Sequence, residues 1–373
     1  MVFITFKMEL KENNVIFLIG AGCSKEADIP ISNEMVKSVE ILLSTDPIWK
    51  PYIELYHYLR SSIEYSEGIF GNFGNAFNIE KLLIVMGQIE QRDRNIIYPF
   101  IGSWNIRLPE VAGKNFERIA ELKGLINKKL YDWVTPKDLQ SKAAYYEGFR
   151  KFQNELGKTV RVFSLNYDLC FEKAIGDDDV EQGFDPKNFE WQQLNFEGTE
   201  TKLFKLYKLH GSINWYTDKH TGKLMLSNHP VGNPELIFGI DTKLRSNDPY
   251  FYYTSEFRRW ILSNDCKLIV TIGYSYADEY INSLISQAII NKSARQVLNI
   301  TFLNEDSNTE KNKTELTKDI TENKLGLNLP FNKHGVSQFN LHVQGAKEFL
   351  TETISSTFFT KYIRDDSDAP FSI

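Results

Sequence analysis

Short apolar runs, each followed by small or polar residues, dominate the hydrophobic pattern of the chain. The first run, Val-Ile-Phe-Leu-Ile at 15–19, is uninterrupted, which is typical of a strand that is buried on both faces of a parallel sheet. Together the runs predict a Rossmann-like α/β fold, in which ligands bind at the carboxyl ends of the strands. The strands are expected at 15–19, 160–165, 205–209, 267–272 and 297–303.

Helical spacing replaces this pattern between the first two runs. Apolar residues recur three and four positions apart, as at Ile79, Leu82, Leu83 and Met86. Helices are also expected after the glycines that follow the first strand, over 169–175, and from an N-cap at Asp278 to Ile290. The pattern therefore predicts a Rossmann-like domain made of 1–34 and 155–305, a mainly helical insertion over 35–154, and a C-terminal extension over 306–373.

Composition and charge exclude several classes of protein. The 373 residues include 43 Lys and Arg against 49 Asp and Glu, a net charge of −6, so nucleic acid is not indicated as the main ligand. No apolar run approaches the roughly 18 residues of a membrane span, and charges interrupt the apolar N-terminus before a signal-peptide core forms. The three cysteines are widely separated, which excludes a four-cysteine zinc site and predicts no metal. We expect a cytoplasmic protein.

Four segments with chemical potential follow the predicted strands: Gly20-Ala21-Gly22-Cys23-Ser24, Asn166-Tyr167-Asp168, His210-Gly211-Ser212 and Gly273-Tyr274-Ser275. Glycines let the backbone approach a phosphate, and amides at a helix start would point toward it. An imidazole can take a proton from a hydroxyl near neutral pH. Each segment alone has a structural interpretation as a packing turn or a cap. Their coincidence at one sheet edge favours one shared ligand.

These segments, in this order, resemble the signatures of the sirtuin (silent information regulator) superfamily. That family has a Gly-Ala-Gly-x-Ser turn followed by Gly-Ile-Pro, then an Asn-x-Asp segment, a His-Gly pair and a later Gly-x-Ser. The chain has Gly20 to Ser24 and then Asp28-Ile29-Pro30, followed by the three segments above. The resemblance covers about 15–34 and 158–305.

The resemblance implies NAD+ as the ligand, bound along the carboxyl edge of the sheet. The diphosphate would lie on the glycine turn, the nicotinamide ribose near Asn166 and the adenosine near Gly273, while His210 would act as a base on a ribose hydroxyl. It assigns catalysis to Asn166 and His210, and NAD+ binding to Gly20, Ala21, Gly22, Ser24, Pro30, Asp168, Gly273, Ser275 and Asn304.

Departures from the deacylase pattern narrow the expected activity. Asp28 replaces a glycine, Leu165 stands where deacylases have a glutamine, and Ile31-Ser32-Asn33 replaces a Phe-Arg pair. The run Leu-His-Gly-Ser-Ile-Asn-Trp at 209–215 is more similar to the bacterial sirtuin-like NAD hydrolases of antiphage defence. That similarity implies hydrolysis of NAD+ to nicotinamide and ADP-ribose, which depletes the cell of NAD+ after infection.

Two other functions stay open at this stage. One is NAD-dependent protein deacylation or ADP-ribosyl transfer, and the other is a non-catalytic module that senses NAD or an ADP-ribose derivative. About 70 residues follow Asn304, too few for a large sensor domain, so control is expected from assembly. The resemblance implies a homo-oligomer or a HerA-like ATPase partner.

Two single features complete the expectations. Cys23 lies beside the predicted phosphate turn, where its thiol pKa would be lowered. The alternating charges from Lys202 to Lys208 are typical of a solvated face.

Overall fold

The computed structural model describes residues 9–69, 77–92, 106–198, 202–232, 234, 236, 249–328 and 337–364. The chain divides into two compact units. The first comprises Met1–Ile29, Pro136–Leu236 and Leu244–Ile373, and the second comprises Pro30–Thr135 with Ile237–Lys243.

A seven-stranded sheet forms the centre of the first unit, in the order β3-β4-β2-β1-β7-β8-β9. All neighbouring strands in it are parallel. The five predicted strands and the Rossmann-like fold class are confirmed, with strand ends shifted by no more than two residues. The strands are β1 Val15–Ile19, β2 Val160–Ser164, β3 Val180–Glu181, β4 Phe204–Lys208, β7 Leu268–Ile272, β8 Gln296–Thr301 and β9 Phe339–Val343, with β5 Trp215–Thr217 and β6 Leu224–Leu226 forming a separate antiparallel pair.

The second unit is helical in the part that the structure describes. Its longest helix buries Ile119, Leu122, Ile126 and Leu130, which are three and four residues apart and form one apolar stripe. The helices are α1 Ser32–Thr45, α2 Ile53–Ile69, α3 Ile79–Glu90, α4 Arg107–Ala112 and α5 Glu117–Val134.

Helices of the first unit surround its sheet. The helix predicted to begin after Asp278 is confirmed, because one carboxylate oxygen of Asp278 accepts from the backbone amides of Tyr280 and Ile281, both at 3.1 Å. Among the described helices of the chain, none is both long and apolar enough to span a bilayer. The helices are α6 Leu139–Lys142, α7 Gly148–Leu156, α8 Cys170–Ile175, α9 Gln193–Gly198, α10 Tyr250–Leu262, α11 Glu279–Asn291, α12 Glu310–Lys318, α13 Ala346–Glu348 and α14 Ser356–Thr360.

The unit boundaries at 29/30 and 135/136 differ from the predicted ones at 34 and 155. The region before β2 belongs to the first unit because its aromatic rings cover the sheet. Phe17 in β1 makes edge-to-face contacts with Phe149 and Phe152 of α7, at ring distances of 5.2 and 5.4 Å. Helical spacing alone could not show against which unit this helix packs.

The C-terminal segment is part of the sheet and not a separate extension. β9 pairs in parallel with β8, from Val297 opposite Phe339 to Thr301 opposite Val343. The strand alternates apolar and polar residues, as expected for the half-buried edge strand of a sheet. This alternation is the sequence signal that could have predicted β9.

Candidate functional site

The loops after β4, β2, β1 and β7 lie next to one another because these strands are neighbours in the sheet. Ser164 and Lys208 form the last aligned pair of β2 and β4. Asn166 and His210 each follow two residues later, so both lie just beyond the carboxyl ends of neighbouring strands. The sequence prediction that these two residues meet at one edge agrees with this register.

The turn after β1 differs from its prediction. Two short 3₁₀ turns, at Ala21–Cys23 and Lys25–Ala27, stand where a helix was expected. The amides of Cys23 and Ser24 donate to backbone carbonyls three residues earlier, at 2.8 and 3.1 Å. The 3₁₀ hydrogen bonds already occupy these amides. The described turn therefore lacks the open amides of a helix start that were predicted to point toward a phosphate. The diphosphate contact of Gly20 to Ser24 stays a prediction.

Glycines at 20, 22 and 273 allow close contact between the loops after β1 and β7. The amide of Gly22 donates to the carbonyl of Gly273 at 2.9 Å. Gly273 has a left-handed φ of +62°, and a Cβ there would lie 2.2 Å from the backbone nitrogen of Cys23. A Cβ on Gly20 would lie 2.7 Å from the carbonyl oxygen of Gly273. Loop packing alone therefore requires these glycines.

Asn166 connects the loop after β2 to the glycine turn. Its side-chain nitrogen donates to the carbonyl oxygen of Gly20 and to the hydroxyl of Ser24, both at 3.0 Å. Since a carbonyl can only accept, the nitrogen must face Gly20, which fixes the orientation of the amide. Asn166 Oδ1 is buried and has no hydrogen-bond partner among the residues that the structure describes. An unpaired buried acceptor costs about 1–3 kcal/mol, so this oxygen is suited to a ligand hydroxyl or water.

His210 supplies a second atom of this kind. Its Nε2 lies 2.9 Å from Oδ2 of Asp278. A carboxylate accepts hydrogen bonds, so in the neutral imidazole the proton lies on Nε2 and Nδ1 presents a lone pair. His210 Nδ1 is buried and, within the described part of the chain, has no partner. The sequence predicts only a helix cap for Asp278, although its place five residues after Gly273 puts it at the same sheet edge.

A buried lysine braces the loops on this side of the site. Lys208 donates to Glu172 at 3.0 Å, to the hydroxyl of Ser212 at 2.8 Å and to the backbone carbonyl of Asp168. The side chains of Lys208 and Glu172 are 1% and 4% exposed, so the expectation of a solvated face at Lys208 is wrong. Burial raises the pKa of Glu172, while the nearby ammonium group lowers it by a smaller amount. The bonds tie the loop after β2 to the loop after β4.

The other predicted NAD+-binding residues are less closely tied to Asn166 and His210. Asp168 is buried, and its Oδ1 accepts from the amide of Cys170 at 2.9 Å, which is the capping role that sequence reasoning also allowed. Gly273 is half-buried, whereas Ala21, Ser275 and Asn304 are exposed. Pro30 begins the second unit. Their contacts with NAD+ stay predictions.

Cys23 is not an activated thiol. Burial raises its pKa to about 12, so the prediction of a lowered pKa is wrong. The missing helix start removes the electrostatic reason for that prediction. All three cysteines lie in the described residues and are buried free thiols. Across the described ranges, no group of three or more His, Cys, Asp or Glu residues could hold a metal ion.

Two buried acceptors at this edge of the sheet are available to a ligand hydroxyl or a water. Asn166 Oδ1 and His210 Nδ1 are two buried acceptors on neighbouring loops that each lack a donor. A ribose carries two adjacent hydroxyl donors, and a water molecule also carries two donors, so either could satisfy these atoms. The arrangement can therefore hold a sugar or a water and accept a proton from it.

Comparison with known proteins finds two similarities. Structural similarity is found to Sir2Tm bound to a propionylated peptide, with 12% sequence identity, a TM-score of 0.32, and coverage of 83% of this chain and 93% of that chain. No curated protein matches the sequence. Residues 160–324 match the family described as the SIR2-like domain, a segment that includes Asn166, His210 and Asp278.

Proposed function

We propose that the protein is an NAD+ glycohydrolase, which cleaves the bond between nicotinamide and ribose. The observation that carries this proposal is the pair of unpaired buried acceptors, Asn166 Oδ1 and His210 Nδ1, on adjacent strand ends. The SIR2-like match of residues 160–324 supports NAD-related chemistry at this edge. The resemblance to sirtuin-like hydrolases supports water as the acceptor.

The reaction has simple requirements that this pair meets. As the bond between C1′ and the pyridine nitrogen loosens, positive charge develops on the ribose, and nicotinamide leaves with the bonding electrons as a neutral molecule. A water oxygen then bonds to C1′ and releases a proton, which His210 Nδ1 takes up by way of the ribose hydroxyl. Asn166 Oδ1 accepts a hydrogen bond from the water and orients it. His210 Nδ1 accepts from a ribose hydroxyl and holds the sugar as its charge rises.

The proposed cellular role rests on the resemblance alone. We extend the proposal to depletion of NAD+ during antiphage defence, with assembly as the control. A homo-oligomer or a complex with a HerA-like ATPase would then switch the activity on. Measuring NAD+ cleavage by the protein alone and by the protein co-expressed with a HerA-like ATPase tests this extension directly.

Release of nicotinamide and ADP-ribose from NAD+ by the purified protein tests the proposed reaction. We expect His210→Ala to lower the rate by about 10²–10⁴-fold, the usual contribution of a proton acceptor. Asn166→Ala is expected to lose activity to a similar extent and also about 1–3 kcal/mol of stability, because two buried hydrogen bonds to the glycine turn disappear. The matched control is His220→Ala, since this histidine is exposed; its activity should equal that of the wild type.

Three outcomes would contradict a hydrolase. Transfer of ADP-ribose to a protein, with no free ADP-ribose, would indicate a transferase. Nicotinamide release that depends on an acylated peptide would indicate a deacylase. Binding of NAD+ in calorimetry with no release, alone or with the partner, would indicate a sensor module.

A further inference from the structure

We propose that Asp278 is a positioning residue for His210, which it holds in the tautomer with a proton on Nε2 and a lone pair on Nδ1. The proposal rests on the proposed function for the identity of the reaction. The tautomer of His210 depends on its contact with Asp278 and can be tested without any substrate.

The two carboxylate oxygens of Asp278 have separate tasks. Oδ1 caps α11 by accepting from the amides of Tyr280 and Ile281, both at 3.1 Å, and Oδ2 faces Nε2 of His210 at 2.9 Å. The capping bonds fix where the carboxylate lies, and the positive end of the helix dipole stabilises its charge. The hydroxyl of Tyr274 lies 2.7 Å from Oδ1 of Asn282, to which it donates its single proton, and 3.2 Å from the carbonyl oxygen of Asp278. The position of Oδ2 is therefore determined by α11 and not by His210.

A fixed acceptor at Nε2 determines which nitrogen carries the proton. If the proton moved to Nδ1, the lone pairs of Nε2 and Oδ2 would face each other at 2.9 Å, which is repulsive. His210 is 7% exposed, so water cannot readily replace the lost hydrogen bond. The contact thus keeps Nδ1 ready to accept from a substrate hydroxyl. The same logic makes the carboxylate essential in Ser-His-Asp hydrolases, where changing it to an amide produces the wrong tautomer.

Two variants of Asp278 separate this role from simple helix capping. Asp278→Asn keeps an oxygen for the cap and turns an NH₂ group toward Nε2, which then has to accept, so the proton is expected on Nδ1. Asp278→Ser also caps a helix well but places no donor against the imidazole. Both variants should keep a melting temperature close to that of the wild type.

Nitrogen-15 NMR of histidine-labelled protein at pH 8 reads the tautomer without substrate. The signal of His210 is identified as the one lost from the six histidines in His210→Gln. We expect an Nε2–H tautomer in the wild type and in Asp278→Ser, and an Nδ1–H tautomer in Asp278→Asn. An Nδ1–H tautomer in the wild type, or no change in Asp278→Asn, would overturn the proposal.

NAD+ cleavage gives the second measurement. We expect kcat to fall by about 10⁴-fold in Asp278→Asn, by analogy with the wrong-tautomer hydrolase, and by a smaller factor, roughly 10–100-fold, in Asp278→Ser. If Asp278 had only a structural role, Asp278→Ser would lose more activity than Asp278→Asn, since Asn has the shape of Asp and Ser does not. That result would refute the assignment. If the wild type cleaves no NAD+, the proposed function fails, while the NMR result still decides the role of Asp278.

Discussion

The loops at the carboxyl edge of the sheet are built in two different ways. After β1 and β7, glycines bring two backbones together, and the amide of Gly22 bonds to the carbonyl of Gly273. After β2 and β4, polar side chains approach one another, and Asn166 Oδ1 and His210 Nδ1 stay without partners among the described residues. The β1–β7 side is closed by its own hydrogen bonds, whereas the described β2–β4 side leaves these two acceptors unpaired.

The comparison changes how the glycine motif is understood. A Gly-x-Gly turn after a strand is commonly taken as a phosphate site. Here contact between the two loops already requires glycine, because an added Cβ would lie only 2.2 to 2.9 Å from its nearest neighbouring atom. Glycines after a strand can therefore mark where a sheet edge is tightly packed, without marking a phosphate site.

The two sides are also stabilised by different means, and the buried ion pair gives the largest expected loss of stability. Lys208→Met leaves Glu172 buried without its ammonium partner, and removing one member of such a pair typically costs about 3–5 kcal/mol. Chemical denaturation monitored by circular dichroism measures the free energy of unfolding.

A double variant tests whether the ion pair itself is responsible. Lys208→Met combined with Glu172→Leu removes both charges, so it should recover part of the lost stability. Recovery is limited because Ser212 and the carbonyl of Asp168 also lose a donor. A double variant that is less stable than Lys208→Met would show that the lysine acts through other contacts.

Gly273→Ala disrupts the contact between the loops after β1 and β7, with a smaller expected loss in the free energy of unfolding. The new Cβ would lie 2.2 Å from the amide nitrogen of Cys23, on a backbone with a φ of +62°. Left-handed strain and overpacking together predict a loss of about 2–4 kcal/mol in the free energy of unfolding. Gly157→Ala is the matched control, since it has a φ of +64° and nothing within 4 Å. It should lose only the strain, about 1–2 kcal/mol. Equal losses in the two variants would disprove loop contact as the reason for Gly273.

Sequence patterns predicted the strands that position this site better than the side-chain contacts within it. Strand-like apolar stretches located β1, β2, β4, β7 and β8, and the uninterrupted run of β1 is typical of a strand buried on both faces. They also placed Asn166 and His210 at one edge. The partnership of His210 with Asp278 spans 68 positions, and no local pattern encodes it. The burial of Lys208 depends likewise on tertiary packing around a residue type that is usually exposed.

The smallest expected effect concerns Cys23, which lies in the closed turn after β1. Burial raises its pKa to about 12, so almost all of the thiol is protonated at pH 8 and reacts slowly with iodoacetamide. We expect mass spectrometry to show no alkylation of the three buried cysteines in the folded protein and complete alkylation in denaturant. NAD+ cleavage should be unaffected by the reagent. Rapid alkylation of Cys23 in the folded protein would mean that the turn opens in solution. The difference between the β1–β7 and β2–β4 sides would then hold for only one conformation of that turn.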